Sequence, residues 1–300
     1  MSEPASQFAV CTVRLPDVAP FPLVVNAARD QIIASHLLEC GHWEWSESNL
    51  LSRLIRPGQR VIDVGANLGY YTVLAAICVG ATGEVWAFEP EPENFRLLAA
   101  NVALNGCRNV ALMQMAAGEI RGTAMLHLSP NNRGDHRLGW NAQSGPIRES
   151  VVIEVISIDE CLPQQTVDIV KIDTQGTELE VLRGMQQLIV RNRDRLMLMI
   201  EFAPGLLRVA GASVADYAAT FMVHGAQVFT IRREGAAIEL TVLGDLQQEF
   251  ERIAIELAFS GDEDAGLDLL VFFTDSARDL HFAAFAELKR PTRPTPPTGI

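Results

Sequence analysis

One stretch dominates the chain: Val61-Ile-Asp-Val-Gly-Ala-Asn-Leu-Gly69, followed by Tyr70-Tyr71-Thr72. An apolar run with a single acid enters two glycines spaced four apart, and a helical pattern follows. This predicts a buried strand, a tight turn and a helix start, with Asp63 at the strand exit. Such a turn lets backbone approach a ligand, because glycine has no Cβ and tolerates positive φ. It also aims helix N–H groups at whatever binds. A dinucleotide fingerprint would read Gly-x-Gly-x-x-Gly; here the order is Asp63-x-Gly65-x-x-x-Gly69. A diphosphate would be repelled by the carboxylate, whereas a sulfonium and an ammonium are suited by it.

The rest of the chain predicts alternating strands and helices. Strands are expected at 60–64, 84–89, 110–115, 167–173, 196–202, 227–231 and 267–273. Helices are expected near 27–40, 46–54, 213–224 and 245–258. Pro92, flanked by Glu91 and Glu93, suits the first turn of a helix that stops at Asn105-Gly106. Thr177-x-x-Glu180 reads as a capping box, and Ser213 as an N-cap. Between two further strands, 123–128 and 151–158, lies a long polar loop holding Trp140. Loops of that length are usually functional or disordered. Apolar β-branched strands alternating with helices imply an α/β fold with a mostly parallel sheet buried on both faces. Ligands of such sheets bind at the carboxyl ends of the strands.

Carboxylates fall at those ends: Asp63, Glu89, Asp173 and Glu201. Buried charges are costly unless paired or ligated, so the grouping needs a reason. A carboxylate ending the second strand of the alternation can accept both ribose hydroxyls of an adenosine. That serves NAD and S-adenosylmethionine alike; the Asp63–Gly69 turn favours the latter.

Composition narrows partners. The 300-residue chain holds 37 Asp+Glu against 24 Lys+Arg, which disfavours nucleic acid and anionic membranes. Five scattered cysteines without a Cys-x-x-Cys pair suggest neither a disulfide framework nor a zinc site. No signal peptide is legible and no apolar run could span a bilayer, so membrane insertion is not expected and a cytoplasmic location is.

The segments Asp63-Val-Gly-Ala-Asn-Leu-Gly-Tyr-Tyr-Thr72, Ala87-Phe-Glu-Pro-Glu-Pro-Glu-Asn-Phe95, Asn101-x-x-x-Asn105 and Val167-Asp-Ile-Val-Lys-Ile-Asp-Thr-Gln-Gly-Thr-Glu178 resemble the FkbM-type S-adenosylmethionine-dependent methyltransferases. The resemblance covers roughly residues 40–203. It implies a class I methyltransferase (Rossmann-like) fold, a seven-stranded, mostly parallel sheet with its last strand antiparallel. It also implies O-methylation of a hydroxyl on a sugar, glycan or secondary metabolite. On that reading Asp63, Gly65, Asn67 and Gly69 form the methionine-side loop, Glu89 holds the ribose, and Ala116 and Ala117 lie near the adenine. The expected organisation is an N-terminal extension (1–58) packing on the cofactor side, a methyltransferase domain (59–288) and a disordered Pro-rich tail (289–300).

Candidate general bases are Asp173, ranked first, His136 and Glu201. The loop is a candidate lid. In it Trp140 could stack on a sugar, and Arg133 or Arg137 could bind an acidic group of a small-molecule or glycan acceptor. The family's fourth-strand motif reads closer to Lys-Ile-Asp-Val-Glu-Gly-x-Glu. Here Thr174 and Gln175 replace Val and Glu, which weakens any role for position 175 as a base or metal ligand. No essential metal is expected. A dinucleotide-dependent oxidoreductase and a non-catalytic cofactor-binding protein stand as alternatives. The acceptor and the oligomeric state, a homo-oligomer included, are left open.

Overall fold

The computed structural model describes residues 7–139, 149–234, 237–262 and 264–288. A hairpin of β1 (Phe8–Val13) and β2 (Phe21–Asn26) precedes α1 (Ile33–Cys40) and α2 (Trp45–Leu54). The alternation then begins: β3 (Arg60–Val64), α3 (Tyr70–Val79), β4 (Glu84–Phe88), α4 (Pro92–Leu104) and β5 (Val110–Met113). Next come β6 (Ala116–Ala117), β7 (Gly122–His127) and β8 (Ser150–Ile156), which make a small sheet of their own. The main sheet resumes after α5 (Ile158–Cys161) with β9 (Ile169–Ile172), α6 (Glu178–Arg183), α7 (Gln186–Asn192) and β10 (Met197–Phe202). It closes with α8 (Pro204–Val209), α9 (Val214–Met222), β11 (Gln227–Glu234), β12 (Ala237–Val242), α10 (Leu246–Ala258), β13 (Leu267–Phe272) and α11 (Asp275–Leu288).

The main sheet has the order β12-β11-β13-β10-β9-β3-β4-β5. Strands β5, β4, β3, β9 and β10 run parallel. Strand β13 inserts antiparallel between β10 and β11. That is the expected seven-stranded class I arrangement, with β12 added as an eighth strand by a hairpin from β11. The chain leaves β3 toward β4 and β5, then crosses back to β9 and β10. Strand order therefore reverses beside β3, where such sheets open a ligand crevice.

Alternate residues of the central strands feed two cores. Val61, Ile169, Met197 and Met199 pack on one face with α3 and α4, around Leu74 and Leu98. Ile62, Val170, Leu198 and Ile200 pack on the other, against Val181, Leu182, Tyr217 and Phe250. Each fully buried side chain of this kind contributes about 1.5–3 kcal/mol, which is why these strands are mostly apolar.

Several local expectations are corrected. The first helix begins at Ile33 rather than near residue 27, because Asp30 Oδ1 accepts the N–H groups of Ile32 (3.2 Å) and Ile33 (3.0 Å) and holds a turn there. The strand starting at Val110 stops at Met113, since Ala116 and Ala117 pair with Val155 and Ile156 of β8 instead. Thr177 makes no capping bond. Glu178 reaches back in its place, accepting from the N–H groups of Thr174 (2.9 Å) and Gly176 (3.1 Å). The cap at Ser213 forms as expected, through Asp216 N–H (3.1 Å), and Glu91, expected only to complement the helix end, also caps it through Asn94 N–H (2.6 Å). Among the described residues, no helix is long and apolar enough to cross a membrane.

Candidate active site

A cavity of about 280 Å³ opens at the carboxyl ends of β3, β4 and β9. Gly65, Asn67, Glu89, Ala116, Ala117, His136 and Asp173 all line it. Trp43 and Glu44, from the turn between α1 and α2, supply a further wall.

The β3–α3 turn forms the floor. Gly65 has φ +84°, and a Cβ there would lie 1.9 Å from the Asp173 carbonyl oxygen, so the two loops meet where only glycine fits. The turn's donors are spent internally. Gly65 and Ala66 both donate to Phe88 O at 3.0 Å, and Gly69 donates to Ala66 O at 2.9 Å. Asn67 N–H goes to Glu89 Oε2 at 2.7 Å. The Asn67 side-chain oxygen, by contrast, is buried with no hydrogen-bond partner among the described residues.

Glu89 is buried and accepts a second backbone bond, from Glu91 N–H to Oε1 at 2.9 Å. Burial pushes its pKa up to about 7, against the lowering effect of the Glu91 and Asn67 N–H groups. Ala116 and Ala117 reach the cavity from the small sheet, not from the end of β5 as expected.

Beside the floor stands a buried charge network. Lys171 Nζ lies 3.0 Å from Asp173 Oδ2 and 4.3 Å from the centre of the Tyr71 ring. The Tyr71 hydroxyl donates to Glu44 Oε2 at 2.8 Å. Burial opposes the charge on Lys171, but Asp173, Glu44, Asp63 and Asp268 hold its pKa above the ordinary value. For Asp173, burial acts upward and is outweighed by the Lys171 ammonium and by hydrogen bonds from Lys171 and Gln175; its carboxyl stays below the usual range.

Three predicted site residues lie off the cavity lining. Asp63 is buried beneath it, accepting from Thr72 Oγ1 at 2.5 Å and thereby tying β3 to α3. Gly69 serves packing: a Cβ there would meet Leu98 Cδ1 at 2.7 Å, so glycine sets how closely α3 approaches α4. Glu201 sits behind Asp173. Gln175 Nε2 joins the two, donating to Asp173 Oδ1 (2.9 Å) and Glu201 Oε2 (3.3 Å). Burial, then Asp173 and Glu178, drive the Glu201 pKa well above normal. Glu201 therefore stands behind Asp173 and off the lining, with its charged form disfavoured. His136 does line the cavity, but its Nδ1 accepts from Ser129 N–H at 3.0 Å. That bond places the ring proton on Nε2, so the basic lone pair is engaged.

The loop arginines also differ from expectation. Arg133 is buried, ion-paired with Glu91 and, at 3.4 Å, with Glu93, and it donates to Asn94 Oδ1 at 2.8 Å. Arg137 pairs with Asp135 and forks onto Asp264 at 3.1 and 2.6 Å. Both guanidiniums fasten the loop down rather than offer charge to an acceptor. Trp140 lies outside the described residues. Glu44 is the residue that sequence reasoning missed. A non-glycine residue at φ +41° on a cavity wall signals strain at a functional site, but nothing in the sequence announces that conformation.

Residues 63–208 match the family model described as "Methyltransferase FkbM domain". Among curated proteins, the hexuronic acid methyltransferase AglP of Haloferax volcanii is 32% identical over 127 residues, spanning 41% of this chain and 48% of that protein. Protein-L-isoaspartate O-methyltransferase 1 of Arabidopsis thaliana is 33% identical over 91 residues, 30% of this chain and 34% of that one. The chain thus spans about half or less of these relatives' own lengths. Among solved structures, the methyltransferase FkbM of Methylobacillus flagellatus aligns over 71% of this chain and 43% of its own, with 15% identity and a TM-score of 0.43.

Proposed function

The chain carries an FkbM methyltransferase domain over residues 63–208, and from that premise we propose that it is an S-adenosylmethionine-dependent O-methyltransferase acting on a hydroxyl of a sugar, glycan or secondary metabolite. The observation that carries the reading is how the β3–α3 turn spends its donors. A diphosphate needs clustered N–H groups, and those of Gly65, Ala66, Asn67 and Gly69 are all engaged within the protein. What this wall offers instead is acceptors: the Glu89 carboxylate and the unpartnered Asn67 Oδ1. Acceptors suit the hydroxyls and ammonium of S-adenosylmethionine, whereas the diphosphate of NAD would find these N–H groups already engaged.

When bound, S-adenosylmethionine supplies an electrophilic methyl group. Glu89 would hold the ribose hydroxyls, and Asn67 Oδ1 would take a donor from the methionine end. Ala116 and Ala117 leave room for a flat base. Asp63 acts from below, fixing the turn through Thr72. Asp173, whose carboxyl the Lys171 ammonium holds below the usual range, would accept the hydrogen bond of the acceptor hydroxyl and take up its proton. Lys171 and Gln175 fix that carboxylate in place, and most of the acceleration comes from alignment. A sugar acceptor is supported by the relative named as a hexuronic acid methyltransferase.

Calorimetric titration with S-adenosylmethionine, S-adenosylhomocysteine and NAD tests the reading. Binding of the first two is expected. Tight NAD binding without S-adenosylhomocysteine binding overturns it.

A further inference from the structure

Away from the cavity lining, the C-terminal end of α1 gathers three metal-ligating side chains. His36 and Cys40 are four residues apart on the helix and so share a face. Gly41 then takes the left-handed conformation, φ +71°, with its N–H on Leu37 O at 3.0 Å, and turns the chain back. That reversal carries His42 over the same face, with the His36 and His42 rings 5.5 Å apart. One ligand atom from each of His36, Cys40 and His42 lies within 4.8 Å of the others. Around a tetrahedral zinc ion such atoms are ~3.3–3.6 Å apart, from bond lengths of about 2.0–2.3 Å. Small side-chain rotations at a helix end close that gap.

The chemistry of the surroundings agrees. Two imidazoles and a thiolate are the ligand types zinc selects, and three protein ligands leave a fourth position for water. The negative end of a helix favours a cation, and no basic residue stands in the last turn of α1. Cys40 is exposed and in no disulfide, so its sulfur is accessible. The expectation of no zinc site rested on cysteine spacing, which is blind to a His-x-x-x-Cys-x-His set assembled by one left-handed turn.

We propose that His36, Cys40 and His42 form a zinc-binding site that clamps the turn after α1. The consequence reaches the cavity through the backbone, because Trp43 and Glu44, which follow directly, form its wall. The His36 ring also meets the Trp43 ring edge-on at 5.5 Å. The metal's part in this proposal is to fix that turn, and no step of methyl transfer runs through it.

The test uses the full chain with any purification tag removed, titrated with cobalt(II) as a spectroscopic stand-in for zinc. The expected result is one equivalent bound, with intense tetrahedral ligand-field bands and a thiolate-to-cobalt charge-transfer band, both bleached by zinc. Cys40→Ser should abolish the charge-transfer band, and His36→Ala and His42→Ala should each weaken cobalt binding at least ten-fold. Circular dichroism checks that each variant is folded. Zinc should also raise the Tm of the parent chain and not that of Cys40→Ser. Absence of a thiolate band in the folded parent overturns the proposal, as does its survival in Cys40→Ser.

Discussion

Replacing Gly65 by alanine probes the closest approach in the candidate site. An added Cβ would lie 1.9 Å from the Asp173 carbonyl oxygen, at a φ of +84°. That is more than about 1 Å inside ordinary contact, and the obstacle is backbone, not a side chain that can rotate away. The left-handed conformation costs alanine roughly 1–2 kcal/mol, and forcing the two loops apart adds about 1–3 kcal/mol. The total is roughly 2–5 kcal/mol, a fall in Tm of about 3–8 °C for a chain of this length. Gly106→Ala separates the two contributions. Gly106 has φ +63° and nothing within 4 Å of its would-be Cβ, so it carries the conformational cost alone. Thermal unfolding of both variants, followed by circular dichroism, reads the difference. Calorimetry should show S-adenosylhomocysteine binding weakened in Gly65→Ala and unchanged in Gly106→Ala. If Gly65→Ala melts no lower than Gly106→Ala and binds normally, the close approach of the β3 and β9 loops is not what fixes this turn.

Further outcomes follow from the charges around the cavity. Glu89→Ala should weaken S-adenosylhomocysteine binding by about 1–3 kcal/mol through lost charge-assisted hydrogen bonds, and unchanged affinity would remove Glu89 as the ribose ligand. Because the Glu89 pKa sits at about 7, its carboxylate is mostly neutralised at pH 6; affinity should fall roughly ten-fold from pH 8 to pH 6, and a flat profile would contradict the assignment. The same group binds its proton more tightly folded than unfolded, so its linkage term makes the unliganded protein less stable as pH rises from about 4.5 through 7; a Glu89→Gln variant should flatten the slope of Tm over that window. Asp173→Asn should lower turnover of an identified acceptor while S-adenosylhomocysteine affinity is retained, and near-normal turnover would eliminate Asp173 as the proton acceptor. Gln175→Glu would replace a donor bridging Asp173 and Glu201 with a third carboxylate, which should destabilise the fold by about 1–3 kcal/mol; an unchanged Tm would show that the bridge is immaterial.

Much of the architecture is legible because it follows from local rules. Strands β3, β9 and β10 announce themselves as short, mostly apolar runs, since a sheet buried on both faces admits a polar side chain only where it is paired, as Asp63 and Lys171 are. The Gly65 turn and Glu89 are equally readable, because a strand exit, a positive φ and an acid one strand over are features of local sequence. Failures concentrate where partners are distant in the chain. Nothing near Arg133 or Arg137 tells that Glu91 and Asp264 consume their charge, so both looked available to an acceptor. His136 looked like a base until the bond from Ser129 N–H fixed its tautomer.

Sequence alone therefore determined the alternation of strands and helices, the tight turn at Gly65 and the acid ending the next strand, since each depends on neighbours close in the chain. Tertiary structure alone decided which charges are free. It put Lys171 against Asp173 and Tyr71, buried Asp63 under the floor rather than in it, bridged Asp173 to Glu201 through Gln175, and folded His36, Cys40 and His42 together around one left-handed glycine. Protonation and pairing depend on distance and burial in three dimensions, and neither is encoded in the spacing of residues along the chain.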